Sequence, residues 1–130
     1  MTLTRRDLLC AGPLTLAAAA RGTAGQGAGM YGLIGKFTAV DGKRDELVQI
    51  LIDGTSQMPG CLSYIVATDP ADANAIWITE AWDSQASHDA SLALPAVKAA
   101  ISKGRPLIAS MGSGTVTAPV GGHGLVAGKP

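Results

Sequence analysis

The sequence predicts an α+β fold in the ferredoxin-like, split βαβ order: strand, helix, strand, strand, helix, strand. Three observations carry that prediction. Short runs of alternating character lie at Met30–Thr38, Cys61–Thr68 and Ile76–Trp82, with a last one at Gly114–Ala118. Stripes at helical spacing lie after the first and third of these runs. Proline and glycine punctuate the joints, at Met58-Pro59-Gly60, Asp69-Pro70 and Gly104-Arg105-Pro106. The chain's 130 residues allow one domain, which is assigned to 29–119.

Residues 1–28 read as an export segment and linker. Thr4-Arg5-Arg6-Asp7-Leu8-Leu9 sets paired arginines before an apolar run, Leu8 to Ala20, as in a twin-arginine-type signal. The run is short of the ~20 residues a stable membrane anchor needs. Cleavage after Ala20 or after Ala24 predicts a periplasmic or extracellular protein; the alternative is a cytosolic chain with an Ala/Gly-rich tail. Loss of Arg5, Arg6, Arg21 and Asp7 from ten basic and ten acidic residues leaves seven and nine, a net charge of about −2. No basic footprint for nucleic acid is present. Cys61 is left alone, without an intramolecular disulfide partner, and reads as a small buried hydrophobe.

In the first strand, Tyr31, Leu33, Gly35 and Phe37 share one face, and Ile34, Lys36 and Thr38 the other. Asp41 is a candidate cap for the first helix, whose stripe is Leu47, Ile50, Leu51 and Gly54. The second strand alternates Leu62, Tyr64 and Val66 against Ser63, Ile65 and Ala67. The third is the most informative. Ile76, Ile78, Glu80 and Trp82 fall on one face, so a carboxylate shares a surface with large apolar side chains and requires a partner. A basic residue or a backbone amide is the expected one.

Ser84 is the candidate N-cap of a helix over Ser84–Ala93 that sets Ser84, His88, Ser91 and Leu92 on one side. Leu92 is expected to dock on the core and carry His88 with it. A further helical piece, Ala96–Lys103, presents Val97, Ala100 and Ile101. Residues 120–130 form a Gly-rich tail containing His123. Two helices cover one sheet face only, while the strands are apolar on both. The second face therefore needs a ligand or a second copy, and a two-fold homodimer is expected.

From Met30 to about Pro119 the chain resembles the antibiotic biosynthesis monooxygenase family of dimeric α/β barrel proteins, which includes quinol monooxygenase-like members. The resemblance rests on Tyr31-Gly32-Leu33-Ile34, Met58-Pro59-Gly60-Cys61-Leu62 and Asp69-Pro70. It rests most on Glu80-Ala81-Trp82-Asp83-Ser84 followed by Leu94-Pro95-Ala96-Val97. It implies oxidation of a small phenolic or quinol-type substrate by O2, without metal or flavin. Many members carry a histidine at the position of Ser91; here His88 stands one helical turn earlier.

Such chemistry needs a base for a phenolic proton and a dry pocket for the resulting anion. His88 is the candidate general base, with a core or interface histidine as the alternative. Tyr31, Phe37 and Trp82 are candidate aromatic walls. Ser91 is a candidate holder of the substrate oxygen. His123 belongs either to a free tail or to a flap over the site. Arg105, between Gly104 and Pro106, reads as solvated. Two distant histidines with no third ligand make no zinc site. A non-catalytic pocket for a small hydrophobic molecule is the second reading. Haem binding, known in relatives with an Asn in the first strand and a Trp/His pair in the second helix, finds no such Asn or Trp here.

Overall fold

The computed structural model describes residues 29–125. The export segment predicted for 1–28 lies outside the described residues. The elements are β1 (Tyr31–Ala39), α1 (Arg44–Gly54), β2 (Cys61–Thr68), β3 (Ala75–Trp82), α2 (Gln85–Ser91) and α3 (Pro95–Gly104). A turn of 3-10 helix (Arg105–Leu107), β4 (Ile108–Met111) and β5 (Thr115–Thr117) follow. The sheet is antiparallel in the order β2-β3-β1-β4, and β5 also pairs with β1. This is the expected split βαβ, ferredoxin-like α+β fold.

Register sorts the side chains. Tyr31 lies opposite Trp82, Leu33 and Tyr64 opposite Glu80, Val66 opposite Ile78, and Phe37 opposite Ile76. All of these share the face that the helices cover, because paired residues point the same way. Leu47 of α1 packs there on Ile76, Ile78 and Ala39, with Phe37, Tyr64 and Val66 around them. The opposite face carries Ile34, Ile65 and Trp77, all exposed, with the Lys36 ammonium 5.5 Å from the Trp77 ring centre.

Several local expectations need correction. The last strand is two short ones, β4 and β5, separated by Gly112–Gly114. Asp41 does not cap α1: Lys43 holds that position without a side-chain bond, and the Asp41 carboxylate accepts from Asn74 Nδ2 at 2.7 Å. Leu92 is 51% exposed, so it does not dock α2 on the core. The helix ends at Ser91, and Leu92 already belongs to the turn into Leu94-Pro95. Ser91 is the buried residue of that helix. In α3, Val97, Ala100 and Gly104 are buried, whereas Ile101 faces out.

Arg44 has an anchoring role that spacing did not reveal. Its Nη1 lies within 3.4 Å of the carbonyls of Asp69, Asp72 and Ala75, the longest of the three distances being to Ala75. It thereby fastens the start of α1 to the β2–β3 turn. No helix among the described residues is long and apolar enough to cross a membrane.

Candidate active site

The site lies where β3 gives way to α2. Ser84 Oγ accepts from the Ser87 amide at 3.2 Å and caps α2, as expected. Gly60, in the turn just before β2, has φ +84, and a Cβ there would collide with Ser87. Its carbonyl accepts from the Asp83 amide at 2.9 Å. Glycine at 60 is therefore what allows the first turn of α2 to close on β2. That closure aims His88 back at the sheet.

The His88 side chain is 17% exposed and sits between two aromatic rings. Its ring centre is 5.1 Å from that of Tyr31, tilted by 44°, and 5.5 Å from that of Trp82, edge on at 84°. Nδ1 lies 3.1 Å from Asp89 Oδ1, and Nε2 lies 3.9 Å from Glu80 Oε2. The Trp82 indole N–H donates to the same Glu80 oxygen at 2.6 Å. Among the described residues the partners of Glu80 are an indole and an imidazole, so the basic residue expected beside it is His88, and the Trp82 N–H is an addition that the sequence did not suggest. Burial holds the Glu80 carboxyl above its ordinary range, opposed by the Trp82 N–H and by His88.

The residues expected to form the site are not all brought together. His88, Tyr31 and Trp82 meet. Phe37 does not join them: it packs on the hydrophobic core, six residues along β1 from Tyr31 and so ~20 Å away. The Ser91 hydroxyl donates to the His88 carbonyl at 2.6 Å and is buried, so its proton secures the helix backbone. His123 stands exposed beyond β5, and Arg105 is exposed as expected.

Tyr64 and Cys61 are neighbours of the site that sequence reasoning missed. Both lie on β2 beside Glu80 and Trp82, through Tyr64–Glu80 and Cys61–Trp82 pairing. Burial, reinforced by the Glu80 charge, raises the ionisation of both hydroxyl and thiol, so both stay protonated at neutral pH. Alternation had placed Tyr64 on a strand face, but its nearness to Glu80 depends on β2 pairing with β3. A cleft of about 610 Å³ opens beyond them, between β2 and the end of α1, lined by Ile52, Met58, Cys61, Leu62 and Tyr64 among others. Its size suits a small organic ligand. It adjoins Glu80 through Cys61 and Tyr64, while His88 is not among its lining residues. No group of three metal-binding side chains occurs among the described residues.

The fold is that of a small ferredoxin-like α+β protein, with a carboxylate, an imidazole and two aromatic rings gathered beneath its helical layer. A family model described as antibiotic biosynthesis monooxygenase matches residues 30–103. A Chloroflexus aurantiacus J-10-fl crystal structure placed by name in that group is 62% identical, at a TM-score of 0.73. The match covers 75% of this chain and 99% of that one. The chain belongs to the antibiotic biosynthesis monooxygenase family. A Caulobacter crescentus CB15 protein, also placed there by name, shares the fold at 18% identity and a TM-score of 0.63, covering 76% of this chain and 95% of its own. A conserved protein of Methanosarcina mazei Go1 shares it at 16% identity and a TM-score of 0.61, over 68% and 91%. No functionally curated protein matches the chain.

Proposed function

We propose that the protein is an exported, homodimeric, cofactor-independent monooxygenase that oxidises a quinol or polyphenol with O2, using His88 as general base. The observation that carries this reading is the His88 ring, held between Tyr31 and Trp82 with its two nitrogens in different surroundings. With Nδ1–H donated to Asp89, Nε2 keeps its lone pair and takes the proton of a phenolic hydroxyl. The exposed Ile34, Ile65 and Trp77 on the outer sheet face support the homodimer, and Arg5-Arg6 before the apolar run supports export.

The reaction balances as follows. Nε2 removes the phenolic proton, and the electron-rich phenolate passes one electron to O2. The ring radical and superoxide combine, forming a C–O bond at a ring carbon that bears hydrogen. The O–O bond then breaks. One oxygen stays as a new carbonyl, and the other leaves as water with the ring hydrogen and the proton held on His88. The substrate loses four electrons and O2 gains four.

Incubation of the purified protein with a panel of quinols under 18O2 tests the reading. One labelled oxygen per product molecule and one in water are expected. Turnover that yields only unlabelled quinone and hydrogen peroxide contradicts it. The cleft beside Tyr64 favours a second reading, a binding pocket for a small hydrophobic molecule. Saturable binding of a phenol without oxygen uptake selects that one.

A further inference from the structure

We infer that Glu80 is a positioning residue for His88: its carboxylate, aimed by the Trp82 indole, stabilises the imidazolium that forms when Nε2 takes a proton. This rests on the proposed role of His88 as base. A carboxylate 11% exposed in an apolar layer is costly unless charge or hydrogen bonds compensate it. Among the described residues, no lysine or arginine lies within ion-pair distance of it. Its compensation comes from one indole N–H and one imidazole. A glutamine would accept from the Trp82 N–H as well, so the indole alone does not explain a negative charge here. His88 does: the charge gains a counter-ion when Nε2 takes a proton.

The distances fit that use. At 3.9 Å, Nε2 and Oε2 are too far apart for a direct hydrogen bond. At that distance opposite charges on the two part-buried groups still attract one another. The positive charge that His88 gains with a phenolic proton is therefore held beside the Glu80 carboxylate. The groups facing Glu80 are Cys61 and Tyr64 from β2, Trp82 from β3 and His88 from α2, with Tyr31 from β1 against the His88 ring. Asp89 lies on the far side of the imidazole. Tyr64 and Cys61 remain neutral, which leaves His88 as the one group able to answer the carboxylate with positive charge.

The test uses Trp82 as its reporter, in the full chain carrying Trp77→Phe so that only one indole emits. Emission should titrate with pH as Glu80 gains its proton, and this titration should vanish in Glu80→Gln. In His88→Ala its midpoint should rise, because the opposing positive charge is gone. In quinol oxidation, Glu80→Gln is expected to lower kcat by ~10²-fold, the low end of a general acid–base contribution, with KM within about twofold. One inflection of the kcat–pH profile should be lost. An emission midpoint indifferent to His88→Ala, or a Glu80→Gln variant at wild-type kcat, overturns the inference. If His88→Ala abolishes turnover while Glu80→Gln does not, the base stands and the positioning role fails. If the wild-type protein oxidises no quinol, the base reading fails, and the emission midpoint alone decides whether the pair is coupled.

Discussion

The indole N–H of Trp82 and the carboxylate of Glu80 are joined at 2.6 Å across two positions of one strand. Residues two apart on a strand share a face, so this bond lies on the helix-covered side, with the Trp82 ring itself almost wholly buried. A charge-assisted bond of this length orients both groups. It turns the strand's last residues into a rigid seat for His88.

Trp82→Phe removes the donor and leaves most of the apolar volume. Stranding the buried carboxylate is expected to cost ~1–3 kcal/mol of stability. In Trp82→Phe/Glu80→Leu neither partner remains to be stranded, so the double variant should lose less than the two single changes together. Urea unfolding of the four proteins measures the coupling; strictly additive losses would contradict the bond's importance.

The pH dependence of stability follows from the same carboxyl. Burial raises its folded-state ionisation above the ordinary value of 4.5. The folded protein thus holds this proton more tightly than the unfolded chain does. The resulting stabilisation is full below pH 4.5 and is lost as pH rises through the folded-state value. Relative to wild type, Glu80→Gln should therefore gain stability between acid and neutral pH. Melting temperatures of the two proteins across that range check the sign, and a constant difference refutes it.

Gly60→Ala places a Cβ against Ser87 at a backbone angle that L side chains rarely adopt. The expected cost is ~1–3 kcal/mol from crowding, together with a shift of α2 that carries His88 away from Glu80. Loss of the His88-dependent change in Trp82 emission, in a variant that still folds, is the expected sign. An unaltered titration would show that α2 docks without the glycine.

Ile65→Lys sets a charge on the exposed apolar face opposite the site. If that face joins two copies, wild-type protein scatters as a dimer at micromolar concentration and the variant as a monomer. A monomeric wild type removes the homodimer from the account.

Much of this architecture was legible in the residues, and the gaps have physical causes. Alternation assigned β3 and the faces of β1, because a period of two survives without knowledge of the partner strand. It brought Trp82 and His88 together through the short Asp83-Ser84 link, with Ser84 visible as the cap. Tyr31 joined them only as a general aromatic candidate, since its place opposite Trp82 depends on pairing. Phe37 shares its face but not its end of the strand, a distinction that periodicity does not make. Leu92 was misplaced because a stripe count runs on past the helix end, whereas the chain turns at that residue. Tyr64 and Cys61 were invisible as site neighbours because strand order, not spacing, brings β2 to β3. Glu80 was legible as a carboxylate in need of a partner, yet the partner came from its own strand and from α2.

The role of His88 as base is tested most directly by oxygen uptake with a quinol substrate in wild type, His88→Ala and His88→Gln. General base catalysis contributes ~10²–10⁴-fold, so His88→Ala is expected to lose about that much turnover while folding normally. His88→Gln keeps a hydrogen-bonding group but no basicity, and is expected to be nearly as slow. Quinol oxidation by both variants at the wild-type rate would contradict the assignment of His88 as the base.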